Sequence, residues 1–523
     1  MLKRNAFLIF LLCLLSALLI GCNQQGASSS GDNEAPKANE ENDNADNENK
    51  EPLAFSISMR TLATPYVENH PDINEDKWVK ELEELTNTDL NIRLVPHKEY
   101  VEKMTLMLAS GDIPDVVQSS GGLNGAELAG AVQAGVFMPL NDLLEKHGQN
   151  LLEVIPQAAW DQVTASDGTI YAIPDYLANR SRRGLAIRMD LLEKTGLDVP
   201  KTTEEYLEVL RAFKDLGIEN PYQGRETFKY ADTFFGAFDA YPYQWELYED
   251  EVVPKFMAGD KIKDALQFYK TMHDDGLIHP EFLTTPQPEY RSNIIAGKAG
   301  MWSMNAEEVL AWEQEIKQNV PEARVEIIAS PTGPDGQGGH YLYNSVTRSF
   351  LINAKTKVDV ERLIQFFDWQ VSDEAYNFFT YGDPTGNNGY VIPEDSNGLN
   401  EQRYRTYWLW LIRDSTYTKG ILELTDDGKK LMSIFDDLLA KEGRDSVQFD
   451  PPLESLEANP DIRPGSDTPA DLWMTGAAKI ILGQEPIEYH DKIVEDWLKK
   501  GGQQAIDEAT KRYKDKKDIT MPE

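Results

Sequence analysis

Asn179, Arg180, Arg182 and Arg183 stand together in a chain that is otherwise strongly acidic, with a formal net charge of −37. A guanidinium offers a planar fork of donors that meets a carboxylate through paired hydrogen bonds. The cluster reads either as a clamp for a carboxylated ligand or as a solvated run of salt bridges. Aromatic faces are the second kind of binding chemistry. Tyr241, Tyr243 and Trp245 surround Pro242 in a loop-like stretch, and Trp302, Trp408 and Trp410 follow. At predicted strand ends and turns the polar candidates are Arg60, Asp112, Ser119, Ser120 and Asn305. Each has a packing alternative. Gly-Asp-x-Pro around Asp112 is turn chemistry. Trp302 faces either the core or a cleft, since neighbouring strand positions point to opposite sides. Trp408 and Trp410 share a face on a strand but diverge on a helix, where one of them packs inward. The Tyr241–Tyr243 loop suits a core less well, so at least one aromatic there is expected to face a cleft.

Catalytic signatures are missing from the sequence. No G-x-S-x-G, H-E-x-x-H or phosphate-loop pattern occurs. None of the seven histidines stands in metal-ligand spacing to another, and His273 and His279 read as helix-end and loop residues. Glycoside cleavage needs two carboxylates placed across one bond, but among 88 acidic residues their presence alone distinguishes nothing. The acidic charge would repel nucleic acid and anionic lipid. The expectation is a monomer with no catalytic residue, no cofactor and no metal.

The N-terminal residues address the chain outward. Lys3 and Arg4 precede an apolar run from Ala6 to Ile20, which is shorter than the roughly 20 residues a spanning helix needs. Leu19-Ile20-Gly21-Cys22 resembles the lipobox of bacterial lipoproteins. That resemblance implies a signal peptide over 1–22 and a lipidated Cys22 (palmitate-type anchor) as the mature N-terminus. The protein would then sit on the extracellular face of the cytoplasmic membrane. Cys13 would leave with the signal, so no internal disulfide is expected. Residues 23–52 are rich in Ser, Glu, Asp and Asn with little apolar surface, and they read as a disordered tether reaching roughly 30 Å.

Beyond the tether, elements alternate. Leu53–Met59 reads as a strand, Trp78, Leu82 and Leu85 as a helix face, and Leu90–Val95 as a strand stopped by Pro96. Tyr100, Met104, Met107 and Leu108 form a helix face ended by Gly111, before the short strand Asp115–Val117. The order strand, helix, strand, helix, strand predicts a parallel sheet covered by helices. The same style resumes at Leu185–Arg188. A capping box at Thr202 and Glu205, a helix from Asp260, a strand into Met301 and the strand Val325–Ala329 follow. The fold class is α/β in two lobes.

Three stretches carry a family resemblance. Met104–Val117 contains Ala-Ser-Gly-Asp-Ile-Pro-Asp; Asp167–Pro174 leads through Ile187–Leu192 to Pro200–Glu205; and Ala296–Trp302 reads Ala-Gly-Lys-Ala-Gly-Met-Trp. In order and spacing they resemble the family 1 extracellular solute-binding proteins of carbohydrate ABC transporters, of the maltose-binding type and the long Gram-positive lipoprotein kind. The resemblance implies a type II periplasmic-binding-protein-like fold, with hinged parallel-sheet lobes around a central cleft. Lobe 1 is expected over 53–183 and 329–395, lobe 2 over 184–328 and 396–523, with hinges near Tyr176–Gly184 and Ala329–Thr332. It further implies capture of an oligosaccharide by hinge closure and delivery to permease subunits, with a uronate-bearing chain as the sharper reading of the arginines. Asp215–Tyr222 departs from the calcium loop of relatives that bind acidic sugars, since it lacks alternating carboxylates. A surface polysaccharide-degrading enzyme and a glycan sensor or adhesin remain as alternatives.

Overall fold

The computed structural model describes residues 51–522 apart from 63, 124 and 129; the signal, Cys22 and nearly all of the tether lie outside the described residues. Among those residues no helix is long and apolar enough to cross a membrane.

Strands β1 (Leu53–Arg60), β2 (Thr88–Val95), β3 (Val116–Ser119) and β4 (Ala172–Tyr176) come first. Phe55, Ile57 and Met59 of β1 are buried, and so is Ser58 on its other face, because helices cover both sides of the sheet. After a crossing come β5 (Arg183–Arg188), β6 (Asn220–Gln223), the hairpin β7 (Trp245–Tyr248) with β8 (Glu251–Pro254), β9 (Ala299–Asn305) and β10 (Val325–Ile328). Strands β11 (His340–Tyr341) and β12 (Val346–Ile352) bring the chain back.

Two sheets result, ordered β2-β1-β3-β12-β4 and β10-β5-β9-β6. Both are mixed, whereas parallel sheets were expected. β12 runs antiparallel to β3 and β4, and β5 antiparallel to β9 and β10. The reason is where these strands begin. Each starts at the crossing between lobes and so runs away from it, against neighbours that run toward it.

The crossings also differ from expectation. Tyr341 packs in the second lobe's core and Val346 in the first, so the return passes through 341–346. Ala329 and Thr332 stay on the second lobe, where the Ala329 carbonyl accepts from the Tyr206 hydroxyl and the Thr332 amide donates to Lys201. Residues 404–412 pack in the first core, not the second, and Phe435 and Leu439 in a cluster of the second lobe. A third crossing therefore lies just beyond Ile412. The three are tied side by side: Tyr176 donates to the Arg413 carbonyl (3.1 Å), Ser415 to Tyr176 (2.6 Å) and Leu177 to Ser345 (2.9 Å).

Local signals act as expected. Thr202 and Glu205 form a reciprocal capping box at the start of the Thr203–Asp215 helix. That helix presses Phe213 on β9 so closely that a Cβ at Gly300 would lie 2.4 Å from the ring, which explains a glycine in mid-strand.

His490 supplies a stability test. It is buried in the second lobe, with Trp473 Nε1 donating to its Nε2 at 3.4 Å. Burial, reinforced by Lys263, pushes its pKa down to about 4. The folded value lies below the unfolded value of about 6.5, so the neutral ring's contribution is complete above pH 6.5 and lost as pH falls toward 4. The unfolding free energy should drop across that window by up to about 1.4 kcal/mol per pH unit from this group, and the urea midpoint with it. His490→Gln, compared with wild type by urea unfolding at pH 7 and pH 5, should flatten the dependence.

Candidate functional site

The carboxyl ends of β1, β3 and β4 and the start of β12 meet at one edge of the first sheet, which is where open α/β sheets bind ligands. A cavity of about 420 Å³, counting its solvent-open part, lies there. Arg60, Gln118, Ser120, Asp175, Thr347 and Arg348 come to it from the sheet, Tyr407 and Ser415 from the third-crossing region, and Arg182 from the first crossing.

Asp175 is 1% exposed and organises the floor. Its Oδ2 accepts from Arg348 Nε (2.7 Å) and the Thr347 hydroxyl (3.1 Å), and its Oδ1 from the Ser415 hydroxyl (2.9 Å) and the Arg413 amide (3.4 Å). Arg348 also donates to the carbonyls of Trp408 and Trp410. These bonds fix β4, β12 and the third crossing relative to one another.

Arg60 lines the cavity. Its guanidinium lies 4.7 Å over the Tyr100 ring, and its Nε has no hydrogen-bond partner within the protein. Arg182 is 7% exposed, pairs with Glu307 and likewise leaves its Nε unpartnered. Tyr407 offers the cavity an aromatic face and is 39% exposed. It sits in a π-type turn over Tyr404–Leu409, where the Trp410 amide reaches back to the Arg405 carbonyl at 3.3 Å. The wider turn lets Tyr404 and Trp408 stack inward (5.5 Å) while Tyr407 points out.

The other expected residues divide. Ser120 lines the cavity, but its hydroxyl and amide are engaged by Glu127 (2.8 and 2.7 Å), as is the hydroxyl of the fully buried Ser119. Burial would push the Glu127 carboxyl up, yet these donors hold it below its ordinary value. Asp112 is corrected: it lies before β3, exposed, in an ion pair with Arg93 at 3.0 Å. Asn179 donates to the Phe435 carbonyl and accepts from the Ser181 amide. Arg180 donates to the Tyr343 carbonyl (2.6 Å) and pairs with Asp445, outside the cavity. Arg183 is fully buried between Asp232 and Asp467, and Asn305 Oδ1 accepts from it and from the Tyr343 hydroxyl. Burial alone would lower the Arg183 pKa, but the surrounding Tyr343, Asp232 and Asp467 outweigh it and hold the cation.

The aromatic expectations are largely corrected. Tyr241 is completely buried, Tyr243 and Trp245 nearly so, because Tyr341, Phe449 and Trp497 from distant segments cover them. Tyr243 and Trp245 border a separate, mostly apolar crevice with Phe256 and Trp497. Trp302 is buried, with its Nε1 on Met304 Sδ. Trp408 and Trp410 are both in the first core, donating to the carbonyls of Arg60 and Gln370. Tyr407 was missed. Its signal lay beside the two tryptophans, but only the turn geometry tells which ring faces out. Among the described residues no group of three or more His, Cys, Asp or Glu is placed to hold a metal.

Comparison with known proteins places the chain in a family and a fold. A family model for the bacterial extracellular solute-binding protein matches residues 71–377. The chain is 26% identical over 533 residues to the polygalacturonan/rhamnogalacturonan-binding protein YtcQ of Bacillus subtilis, covering 98% of this chain and 99% of that one. It is 26% identical over 401 residues to the fructooligosaccharide ABC transporter substrate-binding protein FusA of Streptococcus pneumoniae, covering 71% and 72%. In structure it is similar to the alginate-binding protein AlgQ2 without calcium ion, with a TM-score of 0.65, 21% identity, and 89% of this chain and 99% of that one covered. That likeness shows the two-lobed α/β fold.

Asp175→Ala should lower stability by about 3–5 kcal/mol, since it strands the buried Arg348. Thr347→Ala, which removes one hydroxyl donor, should cost about 1 kcal/mol. Urea midpoints of the two variants check the contrast.

Proposed function

Since this chain belongs to the bacterial extracellular solute-binding proteins, we propose that it captures an oligosaccharide between its lobes and delivers it to an ABC transporter permease. The observation that carries this reading is the cavity at the strand ends, where Tyr407 and convergent polar groups adjoin the crossing residue Arg182. Sugar rings have apolar faces that pack on an aromatic ring and hydroxyl rims that need fixed donors and acceptors. Three adjacent crossings are a hinge on which ligand binding favours closure, because only the closed form lets both lobes touch the ligand. The permease would read that closed form. Lipid on Cys22 would hold the protein at the membrane while the tether lets it search. No bond in the glycan needs to break.

A thermal-shift screen of the full chain against oligosaccharides tests capture. A true ligand at 100 times its Kd adds about 2.7 kcal/mol, and small-angle scattering should show compaction with that ligand only. Tyr407→Ala should weaken binding about tenfold with an unchanged melting temperature of the free protein. A glycan recovered cut, or scattering curves that superimpose with every bound glycan, would overturn the reading. Cys22→Ala should shift the protein from the membrane fraction to the soluble fraction.

A further inference from the structure

We infer that Tyr230 and Asn305 are the second lobe's grip on the ligand, reaching sugar hydroxyls through the Tyr230 hydroxyl and the Asn305 side-chain amide when the cleft closes. The inference rests on the oligosaccharide reading and names residues of its closing half.

The second sheet repeats the edge geometry of the first. The carboxyl ends of the parallel strands β6 and β9 lie beside the start of β5, with Asn305 paired to Arg183. Such an edge is where open α/β sheets bind ligands. Buried Arg183 organises this edge as Asp175 organises the other. Its Nη1 donates to Asn305 Oδ1 (3.2 Å) and its Nη2 to the Tyr343 hydroxyl (2.6 Å) and Asp467 (3.2 Å). Arginine only donates, so the Asn305 oxygen must face it. The same oxygen accepts from the Tyr343 hydroxyl at 3.0 Å. The Asn305 NH2 group is thereby turned away from the network, and among the described residues it meets no acceptor, although it is not a buried atom.

Tyr230 is held as firmly. It lies in the loop that leaves β6, and the guanidiniums of Arg183 (3.6 Å) and Arg225 (4.9 Å) rest on its ring. Thr227, Phe228 and Tyr230 have φ of 57°, 57° and 66°, a left-handed backbone that non-glycine residues seldom take. Three such residues in four mark a segment held against its local preference, and strain of that kind gathers at ligand clamps. With cations on the ring, what Tyr230 offers outward is its hydroxyl. The residue is partly exposed, and among the described residues that hydroxyl has no hydrogen-bond partner. A phenol that donates and accepts, and an amide that donates, both fixed by one arginine, suit the hydroxyl rim of a sugar. The two edges adjoin: the Tyr343 ring lies 5.7 Å from the guanidinium of Arg182, which borders the first-lobe cavity, and 5.3 Å from that of Arg183. The cavity lining does not include Tyr230 or Asn305, so their contact with a ligand held there forms as the lobes close.

The test takes whichever of trigalacturonate, kestose, maltotriose and xylotriose binds the full chain most tightly by titration calorimetry. Tyr230→Phe removes one oxygen and keeps the ring on its arginines. Asn305→Asp keeps the acceptor for Arg183 and Tyr343 and removes the free N–H. Each should weaken that oligomer about five- to tenfold, with Tyr230→Phe leaving the melting temperature of the free protein unchanged. In stopped-flow measurements the loss should fall on the dissociation rate and spare the association rate, because the oligomer enters at the first lobe before this contact forms. Unchanged affinity in Tyr230→Phe or in Asn305→Asp, or a loss carried by the association rate, would overturn the grip and leave oligosaccharide capture standing. So would a lower melting temperature of free Tyr230→Phe, since the hydroxyl would then have a partner inside the protein. Binding of none of the four, nor of any glycan in the thermal-shift screen, would remove the underlying reading as well.

Discussion

A buried carboxylate is the constraint on which the rest of the site depends. Asp175 sits where water cannot solvate it, so its charge must be met by donors within the protein. It is met by four groups from β12 and from the third crossing. Because those donors lie more than 170 positions from Asp175 in the chain, satisfying one ion fixes the geometry of a whole sheet edge. Arg348 carries the same constraint outward to the carbonyls of Trp408 and Trp410. The cavity is rigid on this side for an electrostatic reason.

The crossing arginines show how one local cluster is distributed among different tasks. Arg180 is spent on the Tyr343 carbonyl and Asp445, and Arg183 is locked between two aspartates with Tyr230 at 3.6 Å from its guanidinium. Arg182 alone reaches the cavity. Adjacent positions on extended backbone point to opposite sides, so a clamp made of all of them was never geometrically available. The buried Arg183 network ties the first crossing to Asp467 in the C-terminal part of the chain.

Much of the fold was legible because its signals are local. The period-two strand at Leu53, the short strand at Leu185, the Thr202 capping box and the glycine stop at 111 depend on a few neighbouring residues each. The site was legible only in part. Arg60 and Ser120 lie on the cavity, and Arg182 belonged to a cluster whose importance was evident while its effective member was not. The large aromatics misled, since a tryptophan's size favours burial whenever a distant segment can cover it. Trp497 and Phe449 cover Trp245, and no feature near residue 245 announces them.

What the sequence determined by itself was the alternation of elements, the α/β class and the family, all written in short-range pattern and composition. Only the tertiary structure decided which strands run against their neighbours, where the lobes are joined, and which polar atoms are left unmet. Those outcomes come from contacts between residues hundreds of positions apart. A buried charge is paid for by whichever donor the fold brings near, and a turn one residue wider than an α-helix selects Tyr407 rather than Trp408 to face the cavity.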